Sequence, residues 1–153
     1  MLKKFITNTS SSFFTLILMS LIFTFGGFLV IDLFKSFAGV AMIALFGVIL
    51  CIGYLIGRKL HYTKGIGFAS IVLLPMVVFT VLFGLCIVGV PVISMLIQYP
   101  AAVWCEAFGN VRLADNNTVV FYGIALAHYL VCSLTLFAGA YVNRRKQGTV
   151  AVE

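Results

Sequence analysis

The sequence predicts an all-α polytopic membrane protein, a four-transmembrane-helix bundle with an outer interfacial segment between helices 3 and 4, built as a single membrane domain over residues 1–153. Three observations carry that expectation. Of the 153 residues, 63% are hydrophobic and 9% charged, against about 45–50% and about 25% in an ordinary soluble domain. The mean hydropathy is +1.19, and 14 charged side chains could not keep the wet surface of a chain this long dissolved. The charges are also confined to the gaps between four uncharged runs, residues 5–31, 36–57, 65–105 and 116–143. A charge at mid-bilayer costs about 2.5–3.5 kcal/mol on insertion scales, so such runs mark spans.

A span needs about 20 helical residues to cross about 30 Å of hydrocarbon, which places helices near 13–33, 37–57, 66–89 and 119–142. Runs such as Ile71-Val72-Leu73-Leu74 are apolar on every side, whereas barrel strands would alternate. The first run follows Lys3 and Lys4 and ends near Ser36-Phe37-Ala38, a possible cleavage site. It is longer than the hydrophobic region of a usual signal peptide and is read as a first span. No lipidation box is expected, and the two Asn-x-Ser/Thr matches at Asn8 and Asn116 are read as chance.

The third run could hold one span or two, and the basic residues decide. Four spans with a cytoplasmic N-terminus put Lys3, Lys4, Arg58, Lys59, Lys64, Arg144, Arg145 and Lys146 inside and only Lys35 and Arg112 outside. Five spans give six against four, a weaker bias. The expectation is therefore an integral protein of the plasma (cytoplasmic) membrane with both termini cytoplasmic. Residues 91–108 become the outer segment, with Tyr99, Trp104 and Phe108 at headgroup level, Pro91 and Pro100 punctuating it, and a re-entrant dip over 92–99 as the alternative.

Lipid does not drive helices together, so small and polar residues mark the packed faces. On the fourth span Ala125, His128, Cys132, Thr135, Gly139 and Asn143 fall in one arc. Ser20, Thr24 and Gly27 do so on the first, and Ala44, Gly47, Cys51 and Tyr54 on the second. These stripes are expected to face inward. Gly53 and Gly57 form a small-xxx-small pair on another face of the second span, open to a neighbouring subunit or to packing within one chain.

His128 is the candidate of most chemical interest, because an ionisable group deep in a span is a functional hypothesis by default. The bland reading is a neutral imidazole bonded to Tyr54 or Thr24, and it is favoured. The sharper reading is a ligand or proton path through His128, Cys132, Tyr54, Thr24 and Thr135. His128 and Cys132 at i, i+4 are too few for a metal site, and no metal or cofactor is expected. The scattered Cys51, Cys86, Cys105 and Cys132 make no redox motif; a Cys86–Cys105 bridge is a minority reading. Asp32, Lys35, Glu106 and Arg112 form an outer charge cluster. Arg58, Lys59, Lys64, Arg144, Arg145 and Lys146 set topology, and a joint role in holding lipid headgroups is the sharper alternative.

No catalytic constellation is legible. The function expected is association: a homo-oligomer or an accessory subunit of a larger membrane complex, with membrane lipids and itself or another membrane protein as partners and no nucleic acid. The alternatives are a small transporter or channel with a polar path near His128, and a lipid-modifying enzyme using Trp104, Cys105, Glu106 and Arg112.

Overall fold

The computed structural model describes residues 2–60, 67–87, 91–109 and 118–150. Lys64 and Arg112 lie outside the described residues, as do the side chains of Cys86, Arg144, Arg145 and Lys146. All the regular elements among the described residues are helical: α1 (Leu2–Leu33), a short 3₁₀ turn (Lys35–Phe37), α2 (Ala38–Gly57), α3 (Leu74–Ile87, entered through a π turn at Ala69–Leu73), α4 (Pro91–Ala107) and α5 (Thr118–Val150).

The segments Phe5–Leu33, Lys35–Gly57 and Val119–Asn143 are long and apolar enough to cross a membrane, and Ala69–Leu85 is a shorter apolar helix. α1 and α5 run past the expected limits of 13–33 and 119–142. A helix need not stop at the membrane edge, because its backbone bonds close internally on either side of it. In α1, Thr7, Thr9 and Thr15 donate to carbonyls four residues back, a turn inside their own helix.

Pro75 explains the π turn. It has no N–H to give to the Ile71 carbonyl one turn back, and its ring crowds that carbonyl. The Leu74 N–H reaches instead to the Ala69 carbonyl, five residues back, which widens the turn ahead of the proline. Ser70, Ile71 and Val72 are buried there, and the Ser70 hydroxyl donates to the Gly67 carbonyl.

Side-chain pairings give the helix directions. Met19 meets Gly53 and Met42 meets Gly27, so α1 and α2 are antiparallel. Ser20 meets Tyr129 and Phe23 meets His128, so α1 and α5 are antiparallel too. Phe68 pairs with Phe137 and Phe83 with Tyr122, which runs the third helical segment against α5. α2 and α5 run in the same direction, matched at Phe46 with His128 and at Arg58 with Asn143. The N-terminus of α1, the end of α2 and the last turns of α5 therefore share one end. Asp32, Lys35 and the α1–α2 turn lie at the other.

The exterior is apolar. Phe14, Phe25, Val40, Val48, Leu55, Val77, Val81 and Leu134 are exposed, while Asn8, Ser12, Ser20, Thr24, Ser70, His128 and Ser133 are buried. That inversion of the usual soluble pattern suits helices bathed in hydrocarbon.

Two expectations are corrected. Pro100 does not punctuate the 91–108 segment. It sits inside α4, which continues through it to Ala107 although the ring has no backbone donor to give. The stripe of Ala44, Gly47 and Cys51 does not face inward: all three are exposed and Tyr54 is half-buried, whereas Met42, Ile49, Gly53 and Gly57 are the buried face of α2. The reason lies in the α2–α5 crossing. A Cβ on Gly57 would meet the backbone of Leu136, and one on Gly139 would meet the Tyr54 carbonyl and lie 3.0 Å from the Arg58 nitrogen. Only glycine on both helices permits that approach.

Candidate functional site

The buried polar centre forms where α1, α2, α4 and α5 meet. α5 contributes His128, buried with Ala125 and Cys132 on the face expected from its small and polar residues. α1 contributes Phe23, whose ring centroid lies 4.7 Å from that of His128, and α2 contributes Phe46 at 5.1 Å. α4 contributes Trp104, packed 5.0 Å from Phe23 and 5.3 Å from Phe46. The indole N–H of Trp104 donates to Nδ1 of His128 at 3.3 Å. In a neutral imidazole one nitrogen accepts and the other carries the hydrogen, so Nε2–H is the donor. It faces the Cys132 sulfur at 3.9 Å, one turn along the same helix.

His128 is thus satisfied on both edges and walled by three aromatic rings. It stands ten residues into α5, as Phe23 stands ten residues from the end of α1, or about 15 Å from those helix ends. Just beyond, the Ser20 hydroxyl and the Tyr129 phenol are 2.9 Å apart, and Tyr129 stacks on Phe79.

The remaining polar residues of the spans are distributed rather than gathered. Thr24 is buried near the centre. Tyr54 is not: its carbonyl lies at Gly139, eleven residues from His128, or about 16 Å along α5. The partner expected there for His128 is replaced by Trp104, a residue whose place in the chain suggests headgroup level. Thr135 donates to the Val131 carbonyl of its own helix. Cys51 is an exposed thiol, and Cys105 and Cys132 are buried thiols. Among the described residues no three of His, Cys, Asp and Glu converge.

Of the packing glycines, Gly27 lies under Val103 and Met42, Gly53 under Met19, and Gly57 against Gly139, while Gly47 meets nothing within 4 Å. Asp32, Lys35 and Glu106 of the outer cluster are all exposed. At the opposite end Arg58 and Lys59 are exposed, and Asn143 Nδ2 donates to the Arg58 carbonyl at 2.7 Å.

Sequence reasoning named Trp104 only at headgroup level and in the enzyme alternative, missing it as the partner of His128, and missed Gln98, whose amide donates to the Tyr122 phenol at 3.0 Å. The signal was present: both are polar donors in a segment otherwise rich in apolar residues, and a donor in such surroundings needs a partner. Compared with protein-family models, with curated proteins and with solved structures, the chain matches none.

Proposed function

We propose that this is a four-span membrane protein, with both termini cytoplasmic, that acts by helix–helix association as a homo-oligomer or as an accessory subunit of a larger membrane complex. The alternating helix directions support the four-span reading, because they gather Lys3, Arg58, Lys59 and the Arg144–Lys146 stretch at one end. The outer-segment reading of α4 rests on depth. Tyr99 packs on Phe28 and Gln98 bonds Tyr122, each only about 6–8 Å from the end of its partner's helix, while Ala107 and Phe108 lie beside Gly39 at the start of α2. α4 then lies across the outer end of the bundle, with Trp104 hung inward onto His128.

The observation that carries association is the outward face of α2. Ala44, Gly47 and Cys51 form a small-residue strip exposed on the exterior, and the helix's own packing uses a different pair, Gly53 and Gly57. Small residues let a second helix approach to backbone contact, which is the main attraction available in lipid.

Cys51 makes the test direct. In membranes, with Cys86 changed to Ser, mild oxidation is expected to join two chains through Cys51, or one chain to a copurifying partner. Gly47→Leu is expected to abolish the link without altering the monomer's unfolding. Cross-linking that never appears, together with a strictly monomeric mass and no copurifying protein in nanodiscs, refutes the proposal.

A further inference from the structure

We infer that α4 is a lid over the buried polar centre, with the Trp104 side chain as the plug that keeps the outer phase from His128 and Cys132. The wall around that pair is unequal. Toward the inner end it is apolar and deep. Met19 lies one turn beyond Phe23, Ile49 one turn beyond Phe46 and Leu136 two turns beyond His128, and all three are buried. Behind them the Gly57–Gly139 contact closes α2 on α5. Toward the outer end the wall is one side chain thick. Trp104 is half-buried and stacks on exposed Phe108, yet its N–H donates to Nδ1 of His128.

The spans hold together without α4. α1 packs directly on α2, on the third helical segment and on α5, and both α2 and the third segment pack on α5. α4 is added to that frame by local contacts: Gln98 with Tyr122, Trp104 with His128, Val103 over Gly27 and Phe108 against Gly39. Lifting it breaks no contact between spans, and it uncovers an imidazole nitrogen and a thiol that are otherwise buried. A buried acceptor stripped of its donor takes water instead, so opening hydrates the centre from the outer side alone.

The inference rests on the four-span reading, which puts α4 outside, and not on association. Its test reads modification of Cys132 by a membrane-impermeant cationic methanethiosulfonate, in intact cells and in inverted membrane vesicles, with Cys51, Cys86 and Cys105 changed to Ala. In a separate variant Lys35→Cys marks topology and should react from outside only. Cys132 is expected to react slowly, and from outside. Trp104→Phe keeps the ring and loses one hydrogen bond, so it should speed that reaction about fivefold. Gln98→Leu, which releases the other tie, should do the same. Trp104→Ala removes the plug and should speed it about a hundredfold or more. Unfolding would raise the rate from both sides and lower the helical circular dichroism; if Trp104→Ala does so, the two milder variants decide. The lid is overturned if folded variants leave the rate unchanged, or raise it equally from both sides. Lys35→Cys reacting only from inside would overturn the four-span reading itself, and the lid with it.

Discussion

The α2–α5 crossing can be broken by a single methyl group. A Cβ on Gly139 would meet the Tyr54 carbonyl and lie 3.0 Å from the Arg58 nitrogen and 3.1 Å from the Gly57 carbonyl carbon. All of these are backbone atoms that cannot swing aside. Restoring ordinary contact requires the helices to part by on the order of 1 Å, an overpacking cost of about 1–3 kcal/mol. The same movement carries the Asn143–Arg58 bond from 2.7 Å beyond hydrogen-bonding range, losing about 1 kcal/mol more. Gly139→Ala is therefore expected to destabilise the protein by about 2–4 kcal/mol. Gly57→Ala, which drives a Cβ into the Leu136 backbone, should do the same. Two controls isolate the effect. At Gly53 the nearest atoms are the flexible end of Met19, so Gly53→Ala should cost under about 1 kcal/mol. At Gly47 nothing lies within 4 Å, and alanine should gain about 0.5–1 kcal/mol from helix preference. The assay is unfolding from detergent micelles with added dodecyl sulfate, followed by the fluorescence of Trp104, the chain's single tryptophan. Its ring packs against Phe23, Phe46 and His128, so it reports the core. Gly139→Ala unfolding at or beyond the midpoint of Gly47→Ala would refute the backbone-contact argument.

Other substitutions probe the remaining polar groups. Trp104→Phe keeps an aromatic ring among Phe23 and Phe46 but removes the donor to His128, so the same titration followed by circular dichroism should show a loss of about 1–3 kcal/mol. Ser12 is fully buried with no hydrogen-bond partner for its hydroxyl among the described residues. Ser12→Ala should therefore leave stability unchanged or raise it by about 1 kcal/mol, and a marked loss would mean that the hydroxyl is bonded. Pro75→Ala restores the donor for the Ile71 carbonyl and should convert the π turn to α geometry, rotating the residues before it by about 100°. A cysteine placed at Ser70, buried in the native turn, should become reactive to a membrane-permeant maleimide only when Pro75→Ala is also present.

The helical segments were legible because charge is expensive in hydrocarbon and the chain punctuates its apolar runs with it. The inward face of α5 was legible as well, since Ala125, His128, Cys132 and Gly139 are small or polar and lie on one arc, and all four are buried. The partner of His128 was harder to read. An intramembrane histidine must find a bond, and by counting Thr24 lies at its depth, since Thr24 and His128 each stand nine residues from the outer limit of their expected spans, whereas Tyr54 stands only three residues from the inner end of the second. Trp104 supplies the bond because α4 packs against α1 and α5 rather than lying off the bundle, a tertiary fact with no periodicity behind it. Pro75 was a local signal that an apolar-run count passes over, because a proline does not interrupt hydrophobicity.

The inverted face of α2 shows why apolarity alone cannot orient a membrane helix. In water, the side turned inward is the one that escapes solvent. In lipid, Val48 or Leu55 facing outward loses nothing relative to the interior, so steric fit makes the choice. α2 carries two sets of small residues; of these Gly57 falls opposite Gly139 on α5, where the backbones can close, and Gly53 on the same side receives Met19 of α1. Once that pair is engaged, the 3.6-residue turn leaves Ala44, Gly47 and Cys51 exposed on the exterior. Inward and outward contacts on this helix are therefore separable by mutation. Gly57→Ala should weaken the monomer, whereas Gly47→Leu should spare it and remove the Cys51 cross-link. If the two substitutions instead acted on stability and cross-linking together, the outward strip would be part of the chain's own packing and the case for association through α2 would fail.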